Sequence, residues 1–267
     1  MIFHILSFSC PLLLCSMGAL FSEFAGCLAL FLDGLITFSG FTTYSFTLLT
    51  HSFVLGTILS LTLSLILIFM FALIIEKFKA NRFIAALALN LFFSALTSLF
   101  SSLIYKTRGV LSSELFNFNI ANTRIFTISI SIILLTLAVL FLSFTKTGLY
   151  IRITGSDSDV LLAKGISPAF TRILSWEISS LFAAISGSLL AMRICCFVPN
   201  ISSGRGWMAL AAVFVGKKKP LRTIIAVIIF CAADFFATNI QNVIPGIPSS
   251  LLISFPYFIV LLLILVN

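Results

Sequence analysis

From position 52 to position 75 the chain passes through twenty-four residues without one charged side chain, and 83–104 and 125–145 do the same. Each run is long enough to cross the ~30 Å hydrocarbon core of a bilayer as a helix, which takes about 20 residues. None carries the polar stripe that a helix of a soluble domain needs. Only closed hydrogen-bonding structures survive in lipid, and runs of this length and composition select the α-helix. The whole chain agrees: 60% of its 267 residues are hydrophobic, 9% are charged, and the mean hydropathy is +1.22. Composition therefore places the chain in the lipid bilayer as an all-α integral membrane protein.

Apolar segments fall near 3–21, 25–45, 52–75, 83–104, 124–144, 172–197, 221–240 and 250–266. This predicts about eight transmembrane helices in a single domain, 1–267. Glu23 and Asp33 interrupt the first two. The apolar stretch from Arg205 to Gly216 is too short to cross, at ~1.5 Å per residue, and reads as a re-entrant segment. The N-terminus reads as a retained span. A lipoprotein signal ending at Cys15 is excluded by Leu14 before it, where a small residue is required, and by the lack of a basic leader.

The net charge of +8 sits between the apolar runs. In a soluble chain it would suggest nucleic acid; here it marks loops kept on the cytoplasmic side, and no nucleic acid is implied. Three clusters stand out: Lys77, Lys79 and Arg82; Lys146, Arg152, Lys164 and Arg172; and Lys217, Lys218, Lys219 and Arg222. Placing all three in the cytoplasm puts the N-terminus and the 105–123 loop outside and the C-terminus inside. That outer loop still holds Lys106 and Arg108, with Arg124 at its edge.

The polar island 145–172 contains a short-helix signature. Ser156 is placed as N-cap with Asp159 three residues on, and Gly165 stops the helix before Pro168. The expected helix runs over 157–164. Asp157 and Asp159 lie where the helix dipole favours negative charge, and Lys164 where it favours positive charge. Val160 and Leu161 are apolar residues with no reason to face water unless a partner covers them.

Intramembrane polar residues are costly and face a bundle interior, a water-filled cavity or a partner. Glu23, Asp33, Glu177, Arg193, Arg205 and Asp234 are of this kind. For Glu23, Arg193 and Arg205, near predicted ends, salt bridges or interfacial positions compete with a role in transport. For Asp33 and Asp234 the two readings stand level. Asn90, in mid-span, suits an inter-helix hydrogen bond or a ligand contact. Glycine-broken pieces at 18–34 and again at 203–207 have the pattern that flanks substrate sites in transporters.

Several classes are absent from the sequence. There is no GxxxxGK[ST] phosphate loop, no dinucleotide fingerprint and no hydrolytic constellation. The six cysteines and two histidines have no metal-ligand spacing. The chain reads as a non-enzyme without a cofactor.

The segment 204–221, GRGWMALAAVFVGKKKPL, resembles the GRGFIALAAVIFGRWNPLG signature of bacterial ABC-type permeases, in the nucleoside-uptake branch of the branched-chain amino acid and ribose permease family. The island is similar too. Its 148–155, GLYIRITG, followed by 163–166, AKGI, match GLRLRAVGENPEAAEAAGI. Upstream, 18–23 (GALFSE) and 32–34 (LDG) echo GGLFSERSG and LEGMM, 86–91 (ALALNL) echoes GVAINLL, and 230–234 (FCAAD) echoes LFGLAEA. Asp33 and Asp234 stand where the family has glutamate, and 29–31 reads Ala-Leu-Phe where the family has Asn-Ile-Gly.

The resemblance implies a permease subunit that pairs with a second permease, identical or homologous. A cytoplasmic ABC ATPase and an extracytoplasmic substrate-binding protein complete the importer, with transport by alternating access. It implies nucleoside cargo, with Asp33, Asn90, Arg205, Gly206 and Asp234 along the substrate path. Ser156, Asp157, Asp159, Val160, Leu161, Lys164 and Gly165 would form a cytoplasmic coupling helix seated on the ATPase. Three rival readings remain. One is an ion-gradient-driven transporter with protons carried by Asp33 and Asp234. Another is an ABC permease for simple sugars or branched-chain amino acids. The third is a structural membrane subunit whose loss leaves uptake unchanged.

Overall fold

The computed structural model describes residues 2–243 together with Ser254, Tyr257, Phe258, Leu261 and Leu262. Within residues 2–243 ten α-helices follow one another: α1 (Ile2–Phe24), α2 (Leu32–Thr50), α3 (Phe53–Lys77), α4 (Arg82–Tyr105), α5 (Ile120–Phe144), α6 (Lys146–Ser156), α7 (Ser158–Ala163), α8 (Pro168–Ile194), α9 (Arg205–Val215) and α10 (Pro220–Val243). A 3₁₀ turn, Glu114–Phe116, lies between α4 and α5. Six of these helices are long and apolar enough to cross a membrane: α1, α3, α4, α5, α8 and α10. Of the segment expected at 250–266, only Ser254, Tyr257, Phe258, Leu261 and Leu262 are described.

The three uncharged runs became α3, α4 and α5, within a few residues of their expected ends. Much of their apolar surface is exposed, as lipid-facing helices require, with Val54, Ile66, Leu91, Leu103, Ile133 and Leu137 among the exposed side chains. α1, α2 and α8 are the buried centre.

Serines knit this centre. Ser175, Ser179 and Ser186 recur on one face of α8, and their hydroxyls donate to the carbonyls of Phe21, Gly18 and Pro11 on α1, at 2.7, 2.7 and 2.8 Å. Gly18 has no room for a Cβ, which would fall 2.9 Å from the carbonyl of Ser179. The backbones can approach because the residues between them are small, the usual basis of helix association in lipid. The same device joins α2 to α8 through Thr43 and Ser188 at 2.7 Å, and α2 to α3 through Thr42 and Ser60 at 2.6 Å.

α2 is the main departure from expectation. A span was expected at 25–45, but the helix starts at Leu32. Gly26 turns the chain at φ +67°, and 27–31 run without helix. Thr37, Ser39, Thr42, Thr43, Ser45 and Thr47 are buried against protein instead of facing lipid.

The two ends of the bundle are fixed by distinct contacts. At one end Glu23 pairs with Lys218 at 2.7 Å, and Glu76 with Arg82 at 2.6 Å and with Arg172 at 3.9 Å. At the other, Leu111 and Phe197 exchange backbone hydrogen bonds of 2.9 Å. Around that bridge Phe41, Tyr44, Tyr105, Phe116 and Phe197 stack edge to face.

Candidate functional site

α2 and α9 begin without caps of their own. Phe31, before α2, has no side-chain capping bond, and Gly204, before α9, has no side chain with which to make one. Each helix leaves backbone N–H groups that need acceptors. The structure supplies them from elsewhere in the chain. Asp33 Oδ1 accepts from Gly206 N at 3.0 Å, and Asn90 Oδ1 accepts from Gly34 N at 2.6 Å. Two helix N-termini thus meet, with a carboxylate where both dipoles favour negative charge.

The meeting is close. A Cβ on Gly206 would overlap the backbone of Asp33, lying 2.6 Å from its Cα. One on Gly34 would collide with the carbonyl of Asn90. Thr37 and Ser202 add a hydroxyl pair at 3.0 Å beside the junction.

Asp33, Asn90 and Gly206, all placed on the substrate path by the sequence reading, are therefore brought together. Arg205 is next to them. Its guanidinium donates to the carbonyls of Ile201 and Ser202 at 3.4 and 3.2 Å, and stacks over Phe8 with 5.5 Å to the ring centroid. Asp234 on α10 lies within electrostatic reach of Arg205, without an ion pair among the described residues. Tyr257 donates to the carbonyl of Ser203 at 3.2 Å. Of the other intramembrane charges, Glu23 holds its salt bridge and Arg193 donates to Ser7 O at 2.6 Å. Glu177 keeps one buried carboxylate oxygen without a hydrogen-bond partner.

One turn beyond the junction lies a groove of about 230 Å³. Thr37 on α2 and Ser94, Thr97, Ser98 and Ser101 on α4 line it, with Arg108, Phe197, Pro199 and Asn200 from the two loops that meet at the Leu111–Phe197 bridge. These residues were not anticipated. Their signal was present: Asn90, Ser94, Thr97 and Ser101 repeat at spacings of four, three and four, which is one face of a helix.

The island folds as two helices instead of one. Thr145 caps α6, accepting from Gly148 N at 3.0 Å. The expected cap, Ser156, is instead the last residue of α6, and its hydroxyl donates back to the carbonyls of Arg152 and Ile153. Asp157 is the cap of α7, accepting from Asp159 N at 3.0 Å. A second correction concerns the exposed pair. Val160 is 42% exposed, but Leu161 is fully buried and Leu162 takes its place at 59%. Gly165 stops the helix at φ +72° after Lys164, as expected.

α6 is anchored. Thr154 bonds Thr171 of α8 at 2.7 Å. Gly155 packs against the turn that ends α1: its missing Cβ would collide with the carbonyl of Phe24 and lie 2.8 Å from Gly26 N.

The family model for the permease component of branched-chain amino acid transport systems matches residues 1–266. The guanosine ABC transporter permease protein NupQ of Bacillus subtilis is 27% identical, over 96% of this chain and 88% of its own. The nucleoside ABC transporter permease protein NupC of Lactococcus lactis subsp. cremoris is 26% identical, over 95% and 87%. The putative glucose ABC transporter permease protein TsgC13 of Haloferax volcanii is 26% identical, over 86% and 74%. Among solved structures, PsaBC from Streptococcus pneumoniae in complex with Fab has a similar fold, with a TM-score of 0.57 at 16% identity over 96% of this chain and 89% of that one. A match over nearly every residue, on a bundle with six apolar candidate spans, leaves no second assignment: the chain belongs to the family of branched-chain amino acid transport system permease components and is a multi-pass inner-membrane permease subunit of an ABC importer, a transport protein and not an enzyme.

Proposed function

We propose that this permease moves nucleosides by alternating access, through a path that runs along the groove and past the Asp33–Gly206 junction. The observation that carries the reading is the junction itself. Broken helices whose N-termini meet within the bundle are the arrangement that transporters use at their substrate sites. Asp33, Asn90, Arg205, Gly206 and Asp234 gather there or within electrostatic reach. Two of the relatives are named for guanosine and for nucleosides, and each aligns over almost the whole of this chain.

In this reading 196–204 dip from the outer side into the membrane and α9 continues to the cytoplasm, a re-entrant piece that crosses with helix over only part of its length. At ~1.5 Å per residue, α9 covers roughly half the hydrocarbon core. The ends carrying Glu23–Lys218 and Glu76–Arg82 are cytoplasmic, the Leu111–Phe197 bridge is external, and about eight spans complete the bundle. A second permease, homologous or identical, closes the open side of the groove. The cytoplasmic ATPase seats on α7, with Asp157, Asp159, Val160, Lys164 and Gly165 at or beside its contact, and the extracytoplasmic binding protein delivers cargo to the outer loops.

The test is uptake of radiolabelled guanosine into vesicles holding the complete importer, with ATP supplied and ion gradients collapsed. Uptake that needs ATP and this chain supports the proposal. Uptake that follows an imposed ion gradient without ATP would make the gradient the energy source instead, with Asp33 and Asp234 as the candidate proton carriers. Uptake unchanged without this chain would leave it a structural subunit. Glucose uptake in place of guanosine would move the cargo to the class named for the Haloferax relative.

A further inference from the structure

The groove has a hydrogen-bonding sense. Four of its hydroxyls use their single proton inside the protein. Ser94 donates to Asn90 O at 3.1 Å, Thr97 to Phe93 O at 2.8 Å, Ser101 to Thr107 O at 2.8 Å, and Thr37 toward Asp33 O at 3.3 Å and Ser202 Oγ at 3.0 Å. A hydroxyl has one donor and two acceptor lone pairs. With the donor committed, each of these oxygens has only acceptor capacity left for a ligand. Donors also line the groove: Ser98 contributes a hydroxyl, and Arg108 and Asn200 contribute N–H groups.

Such a wall favours a ligand rich in O–H donors. An anion would find no partner along these four oxygens, because an oxygen acceptor cannot pair with another one and unpaired polar groups in a confined site are costly. Its size is a second constraint. At about 230 Å³ the groove is smaller than the roughly 300–1,000 Å³ of sites that enclose a whole small molecule. It can hold one moiety, and the rest of the cargo must project through its open side, where Ser94 and Ser98 are exposed.

We infer that the Thr37–Ser94–Thr97–Ser101 wall is a sugar subsite that reads the hydroxyl donors of a neutral, dephosphorylated cargo, with the base held outside it. This rests on the nucleoside reading above and adds which part of the nucleoside the permease recognises.

The experiment compares uptake of guanosine and of its dideoxy analogue in vesicles with the complete importer, for the wild-type chain and for Ser94→Ala, Thr97→Val and Thr97→Ser. The binding protein is the same in every assay, so its own selectivity cancels from the ratios between chains. Losing one acceptor should lower guanosine uptake about three- to tenfold and leave the 2′,3′-dideoxy analogue within about twofold, because only guanosine has the 2′- and 3′-hydroxyl donors that the wall would pair. Thr97→Ser, which keeps the hydroxyl, should restore guanosine uptake. Co-purification with the ATPase confirms that each complex is assembled, and Ser94→Ala alters an exposed residue if Thr97→Val fails to assemble. Equal losses for both substrates, or no loss for either, would overturn the subsite. If the wild-type importer takes up neither compound, the nucleoside reading has failed; the same variants are then compared on glucose and deoxyglucose, and the same pattern of ratios upholds or overturns the acceptor wall by itself.

Discussion

Asp33 and Gly206 lie 173 positions apart and share one hydrogen bond of 3.0 Å, through which the first turn of α2 caps the first turn of α9. The arrangement gives Asp33 two duties. Its oxygen completes a helix that begins on a glycine, and its charge faces Arg205. Asn90 has the matching duty for α2.

Substitutions separate these duties. Asn in place of Asp33 keeps a carbonyl oxygen for Gly206 N and removes only the charge. Asp33→Asn is therefore expected to keep the complex assembled while lowering uptake. Asp33→Ala removes the cap as well and should lose about 0.5–2 kcal/mol of stability. Asn90→Leu strands the buried N–H of Gly34, at a cost of about 1–3 kcal/mol. It too should lower uptake at unchanged assembly if the complex has stability to spare. Thermal unfolding of the purified complex, measured beside uptake, distinguishes the effects. Normal transport by both Asp33→Asn and Asn90→Leu would make the junction structural only.

Two glycines of the island should respond very differently to alanine. At Gly165 nothing lies within 4 Å of a new Cβ, so the only penalty is the φ of +72°, about 1–2 kcal/mol. At Gly155 the new Cβ runs into the backbone of Phe24 and Gly26, which cannot turn aside as a side chain could. Overpacking of this kind costs about 1–3 kcal/mol and moves backbone. The backbone moved is the turn that leads to Asp33, seven residues beyond Gly26. Gly155→Ala is therefore expected to impair transport more than Gly165→Ala at matched expression. The reverse order would mean that the contact between α6 and the α1 turn carries no mechanical load.

The ion pairs gather the cationic loops at one end of the bundle. Glu23–Lys218 and Glu76–Arg172 tie the loops near Lys79 and Lys218 to one end of the bundle, and the contact of Gly155 with Gly26 puts the island there too. The Leu111–Phe197 bridge fixes the 105–119 loop at the other. Single cysteines at 79, 155 and 218, in a chain without its native cysteines, should react only from the cytoplasmic side, and one at 112 only from outside. Labelling of position 155 from outside would reverse the orientation of the entire bundle.

What was legible in the sequence depended on how strongly one force dominated. α3, α4 and α5 read to within about four residues, because an uncharged run of that length has one stable form in lipid. The start of α2 did not. Its position depends on the turn at Gly26, on the cap contributed by Asn90 and on the bond by which Asp33 caps α9, and the last two are long-range. The serines of α8 were unread because a lone serine in an apolar run is neutral until a carbonyl of Phe21 or Gly18 is placed against it. The groove was missed for the same reason, although the spacing of Asn90, Ser94, Thr97 and Ser101 carried the signal. Of the candidate site, Asp33, Asn90 and Gly206 were legible because charge, amide and glycine are rare inside apolar runs.

The coupling helix gives the last prediction, and the structure changes its terms. The cap to remove is Asp157, not Ser156, since only Asp157 accepts from the first turn of α7. Asp157→Ala should cost about 0.5–2 kcal/mol, enough to loosen a six-residue helix that could not stand alone in water. Ser156→Ala should have little effect, because its hydroxyl only bonds back to its own helix. On the surface, Val160 and Leu162 are the apolar pair left without cover, whereas Leu161 is buried. Aspartate at 160 and 162 should weaken ATPase docking or uncouple hydrolysis from uptake while the spans stay folded. Aspartate at 161 instead buries an unpaired charge and should disrupt α7 itself. Co-purification, ATP hydrolysis and uptake, measured on one set of membranes, decide between them. A Val160→Asp/Leu162→Asp chain that retains its ATPase and transports at the wild-type rate would show that α7 is a connection between α6 and α8 and nothing more.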